Sequence, residues 1–180
     1  YRGGPILMSA ISGVDQALWD IKGKYLNVPV HELLGGAVRQ KMKMYCWIGG
    51  DNPEVVLDQA TKKINAGFNA VKMNATGGME WVSSIKDIKN VANNIKLLRE
   101  EFGYELDIGL DFHGRVHKPM VKRLIDELAP YEPMFIEEPV LSENNDALRH
   151  IYQYTNIPIA TGERMFSRWD FKEILHQGVV

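Results

Sequence analysis

Three acids mark the second half of the chain at a fixed interval. Asp111, Glu137 and Glu163 lie 26 positions apart. Each ends an apolar run. Asp111 closes Leu106-Asp107-Ile108-Gly109-Leu110, Glu137 closes Met134-Phe135-Ile136, and Glu163 follows Ile157-Pro158-Ile159-Ala160-Thr161-Gly162. A β/α unit takes roughly 25–30 residues, since an eight-unit barrel is about 250 residues long. The period therefore predicts that the acids sit at equivalent ends of three consecutive parallel strands. In β/α barrels the C-terminal strand ends hold the active site. Three oxygen donors converging there, with no cysteine nearby, describe a hard-cation site, with Mg²⁺ the expected ion.

The rest of the chain supports the same α/β class. The apolar spacing of Ile11, Val14, Ala17, Leu18, Ile21 and Tyr25 predicts a helix over Ser9–Leu26. Pro29 to Gly36 reads as a short helical turn. Strands are expected over Lys41–Ile48, Asn69–Asn74, Glu105–Phe112, Met134–Ile136 and Pro158–Ala160. Helices are expected over Pro53–Ala66, Ser84–Phe102, Pro119–Leu128, Asn145–Tyr154 and Arg168–His176. Strand–helix alternation with short loops means a parallel sheet with helices outside it. An open doubly wound sheet shares that alternation, but it gathers ligands at a switch point between two strands. An acid after each of three successive strands favours a closed barrel.

Five strands and the start of a sixth can be counted, where a barrel needs eight. The chain opens without Met and stops at Gly178-Val179-Val180, so it reads as a piece of a longer enzyme. Residues 1–36 are expected to form a helical lead-in segment, and residues 37–180 the N-terminal part of the barrel.

Composition narrows the function. The 180 residues are 45% hydrophobic and 24% charged, which is ordinary globular usage. The net charge of −2 with scattered basic residues gives no nucleic-acid footprint. No apolar run approaches the ~20 residues a membrane span needs. The single cysteine, Cys46, excludes an internal disulfide and reads as a small strand filler in a reducing compartment. The expectation is a soluble cytoplasmic protein.

Side chains two apart on a strand share a face. Asp111 and His113 are thus expected to point together if the strand persists to residue 113. That pair suits acid–base chemistry beside a cation, the alternative being a loop hydrogen bond from His113. Glu137 and Glu138 face opposite ways, and the period selects Glu137 for the mouth, which leaves Glu138 behind it or in the loop as a group that could support the ligands. Lys72 and Asn74 share a face at the end of the second strand. A cation beside Lys72 lowers its pKa, and the residue reads either as a base or as a clamp for a carboxylate. Arg115 and His117 follow the third strand within reach of a substrate. Arg164 reads either as an anion binder or as a salt-bridge partner. A divalent cation with an adjacent acid suits removal of a proton alpha to a carboxylate.

Asp111-Phe112-His113-Gly114-Arg115, Phe135-Ile136-Glu137-Glu138-Pro139 and Gly162-Glu163-Arg164 resemble the enolase superfamily in its mandelate-racemase-like branch. Ala17 to Lys24 followed by Pro29 to Gly36 looks like the segment that leads into that family's barrel. Asp111 to Met120 with Gly162 to Phe171 is similar to sugar-acid dehydratases of the galactonate type. The resemblance implies a (β/α)7β barrel capped by an α+β domain built from both chain ends. It implies Asp111, Glu137 and Glu163 as Mg²⁺ ligands, and His113 as the acid that protonates a departing 3-hydroxyl. The implied product is a 2-keto-3-deoxy sugar acid, and the implied assembly a symmetric homo-oligomer. Racemases of the branch carry Lys-x-Lys where this chain has Lys72-Met73-Asn74. Asn74 cannot abstract a proton, so a two-base racemase is disfavoured and Asn74 is expected to hydrogen-bond substrate. The family's base, a histidine on the seventh strand oriented by an aspartate on the sixth, is expected beyond Val180. The capping domain is expected before Tyr1.

Overall fold

The computed structural model describes residues 3–49 and 52–180. The chain forms two compact units. One runs to Lys43 and takes in Phe166–Arg168, and the other comprises Met44–Met165 and Trp169–Val180.

The first unit is dominated by α1, Pro5–Leu26, followed by the single turn α2, Val30–Leu33. Pro5 stands in the first turn, where its missing N–H is not needed, so α1 begins earlier than the apolar stripe suggests. Asn27 ends it in the left-handed conformation, with φ 55. The chain then turns back, and Val28 N–H donates to the Gly23 carbonyl at 3.0 Å. A Cβ at Gly23 would lie 2.9 Å from the Val28 oxygen, so only glycine fits. The predicted stripe lies on this helix and is largely exposed, Val14 at 62% and Ile21 at 61%.

The second unit alternates strictly. Its elements are β1 Cys46–Trp47, α3 Pro53–Asn65, β2 Ala70–Asn74, α4 Ile85–Phe102, β3 Asp107–Asp111, α5 Lys118–Leu128, β4 Phe135–Glu137, α6 Asn145–Tyr152, β5 Ile159–Ala160 and α7 Arg168–Gln177. All four strand pairings are parallel, and the order in the sheet is β1-β2-β3-β4-β5. A doubly wound sheet reverses its order at a switch point; this one runs on without reversal, as a barrel wall does. Among the described residues, no helix is long and apolar enough to cross a membrane.

Local chemistry explains the boundaries. Asn52 caps α3 by accepting the Glu54 N–H. Ser84 and Asp87 form a reciprocal capping box at the start of α4, and Gly103, with φ 59, ends it. Arg99 ties that end to the strands that follow. Its guanidinium donates to the carbonyls of Gly103, Leu106, Tyr131 and Glu132. The expected strand over Lys41–Ile48 shrinks to Cys46–Trp47, whose register partners are Val71 and Lys72, and Ile48 N–H donates to Lys72 O just beyond it. Met42 and Met44 remain 66% and 62% exposed.

Strand alternation then builds two faces. Val71, Met73, Ile108, Leu110 and Ile136 face the helices and pack with Ile88, Ile95 and Leu98 of α4 and Leu124 and Ile125 of α5 in one core. The opposite face carries Lys72, Asn74, Gly109, Asp111, Phe135 and Glu137, aligned by register: Lys72 with Gly109, Gly109 with Phe135, Asn74 with Asp111, and Asp111 with Glu137. The lower layer joins Lys72 to two apolar residues, Gly109 and Phe135. Phe135 covers Gly109 so closely that a Cβ there would stand 2.6 Å from its ring, and Tyr45 meets the same ring edge-on at 5.8 Å. Gly109→Ala is expected to lower unfolding stability by about 1–3 kcal/mol through overpacking. A urea midpoint equal to that of the parent would refute this account of Gly109.

Candidate functional site

The upper layer is polar and lies at the C-terminal ends of the strands. Asp111 is almost fully buried, at 1% exposure. Its Oδ1 accepts the His113 N–H at 2.8 Å, and its Oδ2 lies 3.0 Å from Lys72 Nζ. The same ammonium donates to Glu137 Oε2. Lys72 therefore bridges the carboxylates that end β3 and β4. Burial alone pulls the Lys72 pKa down. The hydrogen bonds to Glu137 and Asp111, together with their charge, outweigh that pull and leave it above the ordinary lysine value. The carboxylates around the ammonium set that direction; the lowering expected of Lys72 is conditional on a neighbouring cation.

His113 reaches the site by a different route from the one expected. β3 ends at Asp111, and His113 has φ 51, so strand alternation does not place it. The left-handed turn, closed by Arg115 N–H donating to Phe112 O at 2.9 Å, brings the imidazole back. Its Nδ1 lies 3.1 Å from Asp111 Oδ1. That approach does not form a hydrogen bond, and Nδ1 has no hydrogen-bond partner among the described residues.

Glu163 is also displaced from its expected place. β5 ends at Ala160, and Glu163 stands beyond it in the turn made by Gly162, whose φ is 132. Even so, Asp111, His113 and Glu163 each offer a ligand atom within 4.8 Å of the others, which is compact enough to hold a metal ion. Glu137 stands outside that group, engaged by Lys72. Arg164 donates to the His113 carbonyl at 3.0 Å and lies 3.7 Å from Glu163, so it forms the ion pair and also ties two loops together. Arg115 is exposed, and His117 stacks on Trp81 at 4.0 Å between centroids. Asn74 Oδ1 is buried without a partner, beside a cavity of about 340 Å³ lined by Thr76, Ser83, Asp87, Asn90 and Asn94.

One participant, Trp47, escaped sequence reasoning. Trp47 meets the His113 ring edge-on at 6.2 Å, and Lys72 Nζ lies 5.7 Å from the indole. The signal was present, since a strand with Cys46 and Ile48 on one face puts Trp47 on the other. Glu138 is wholly buried and holds the loop before Glu163.

The donor set fits a hard cation. Asp111 and Glu163 offer the carboxylate oxygens that such an ion prefers, and His113 adds an imidazole, a donor that also suits transition metals. The clustered negative charge calls for a cation, and Lys72 supplies one to two of the three.

Comparison with known proteins agrees with this architecture. Residues 55–180 match the family model described as enolase C-terminal domain-like, and residues 1–35 match the mandelate racemase / muconate lactonizing enzyme N-terminal domain. The chain belongs to the enolase superfamily, in the mandelate racemase / muconate lactonizing enzyme branch. A solved structure from Mesorhizobium loti, of a protein provisionally named a dehydratase, is 30% identical with TM-score 0.89, over 98% of this chain and 49% of that one. A second provisionally named dehydratase, from Zymomonas mobilis ZM4, is 28% identical with TM-score 0.91, over 99% of this chain and 50% of that one. An enolase from Pantoea ananatis, solved with bound D-gluconate and Mg, is 26% identical with TM-score 0.83, over 100% of this chain and 51% of that one. The chain spans about half the length of these proteins.

Proposed function

We propose that this chain carries the metal-binding and acid side of a Mg²⁺-dependent sugar-acid dehydratase, a carbon–oxygen lyase, with D-galactonate as the leading substrate. The observation that carries the reading is the convergence of Asp111, Glu137, Glu163, Lys72 and His113 at the ends of adjacent strands. Asp111, Glu137 and Glu163 hold the ion. Bound Mg²⁺ supplies Lewis-acid stabilisation of the charge that develops on a substrate carboxylate as its alpha proton leaves.

The chain's own residues do the rest. Lys72, which bridges the carboxylates that end β3 and β4, places its amine at the mouth to meet an anionic substrate. Asn74 hydrogen-bonds the substrate through an amide whose oxygen is without a partner, and Arg115 and Arg164 border the site. His113 gives its proton to the departing 3-hydroxyl, the C3–O bond breaks, and water leaves. The enol then tautomerises to a 2-keto-3-deoxy acid. The residue that takes the alpha proton is outside this set.

A second reading keeps the chemistry and changes the acid. The D-gluconate bound to the Pantoea ananatis relative supports gluconate as substrate, and the amide- and hydroxyl-lined cavity beside Asn74 suits either polyol chain. Arabinonate is a further member of the class. The test is an aldonate library incubated with Mg²⁺ and the full-length protein from its native source. Release of a 2-keto-3-deoxy acid identifies the substrate. No such product from any member would sink the proposal. A catalytically incomplete fragment is the alternative reading of these residues, and the 180-residue chain made alone is the material that tests it.

A further inference from the structure

Glu138 follows a candidate ligand, yet it faces away from the mouth and is 0% exposed. Its φ of 46 lies in the left-handed region that such residues seldom adopt. All but one of its polar groups reach a neighbouring strand end. The backbone N–H donates to Ala160 O at 2.9 Å, and the carbonyl accepts the Gly114 N–H at 2.8 Å. Side-chain Oε1 accepts from Thr161 Oγ1 at 2.7 Å and from the Gly162 N–H at 2.8 Å. Gly114 follows His113, and Thr161-Gly162 lead directly into Glu163. One residue thus joins the loops that present the acid and the third carboxylate. The remaining oxygen, Oε2, is buried without a partner. Burying a carboxylate is costly unless its oxygens are satisfied.

We propose that Glu138 is a positioning residue: its clasp on Thr161 and Gly162 sets where Glu163 stands, and through that sets affinity for Mg²⁺. This rests on the metal-binding reading above. It predicts a change in metal affinity within the folded protein, where a role confined to stability changes only the melting temperature.

The test titrates Mg²⁺ alone into the full-length native protein by calorimetry, with thermal melts recorded in parallel. Glu138→Ala is expected to weaken Mg²⁺ binding about 10- to 100-fold well below its melting temperature, the range seen when residues that orient metal ligands are lost. Glu138→Gln keeps an oxygen that can accept both bonds and is expected to restore most of the affinity. Thr161→Val, which deletes one donor, is expected to fall between the two. A folded Glu138→Ala protein that binds Mg²⁺ like the parent, with only its melting temperature lowered, would overturn the proposal. If that variant fails to fold, the other two decide. Weakened binding in Thr161→Val with near-parental binding in Glu138→Gln supports the clasp, and unchanged binding in Thr161→Val overturns it. A parent that binds no Mg²⁺ refutes the metal reading itself. A parent that binds, alongside an equal Glu138→Ala, refutes the clasp alone.

Discussion

Asp111→Asn is expected to abolish the site while leaving the fold standing. Asp111 is the most central of the acids: it is buried, it receives the His113 N–H, and it shares Lys72 with Glu137. Residues that merely orient metal ligands are worth roughly 10- to 100-fold in metal affinity. A charged ligand in a dry position is worth more, so Mg²⁺ affinity is expected to fall by at least ~100-fold, the upper end of that range. Turnover is expected to fall on the order of 10³-fold, the loss typical of removing one preorganised electrostatic group. The fold survives because asparagine has nearly the same shape and can still accept the His113 N–H. Removing one partner of a buried ion pair usually costs about 3–5 kcal/mol, since a charge is left stranded. Here Lys72 retains Glu137, so the loss is expected to be smaller. Glu163→Gln is expected to do less to affinity, because that side chain is 40% exposed and water already screens its charge. Calorimetric titration of Mg²⁺ with circular dichroism on the same samples checks both. A folded Asp111→Asn protein with parental Mg²⁺ affinity would remove Asp111 from the ligand set.

The β/α alternation was legible because it rests on short-range chemistry. The Ser84–Asp87 capping box, Asn52 before Pro53, and the apolar stripe of α4 are each contained within a few residues. The reading failed where partners decide. Lys41–Ile48 alternates like a strand, but alternation does not show how far a neighbouring strand runs alongside it, and the register with β2 covers Cys46 and Trp47. The 26-residue period counted positions and not conformations. It located Asp111 and Glu137, which are register partners. It could not show that the glycine turn at 162 carries Glu163 past its strand end. The Lys72 bridge depends on the register of β2 against β3 and β4, and no local pattern contains it. The left-handed backbone of Glu138 was equally hidden, since glutamate seldom adopts that conformation, and that of His113 was only weakly signalled, by a residue type enriched there but still uncommon in it.

His113→Asn separates two roles that the geometry leaves in competition. The imidazole belongs to the compact group with Asp111 and Glu163, and its Nδ1 makes no hydrogen bond among the described residues, so it is available as a ligand. The same position suits an acid aimed at a leaving hydroxyl. Asparagine is the informative replacement. It tolerates a φ of 51 better than most residues, so the turn and the backbone N–H to Asp111 persist. It has no proton to give, and a positioned general acid contributes about 10²- to 10⁴-fold. Dehydration is therefore expected to fall by that factor. If His113 is the acid, Mg²⁺ affinity stays close to that of the parent, because the carboxylates that match a hard cation remain in place. Removal of the alpha proton does not need the acid, so in D₂O the recovered sugar acid is expected to gain deuterium at C2 while keeping its 3-hydroxyl. Proton NMR of the recovered acid measures that exchange directly. A fall in Mg²⁺ affinity comparable to that of Asp111→Asn would instead make His113 a ligand, and the proton for the departing hydroxyl would then have to come from a different group.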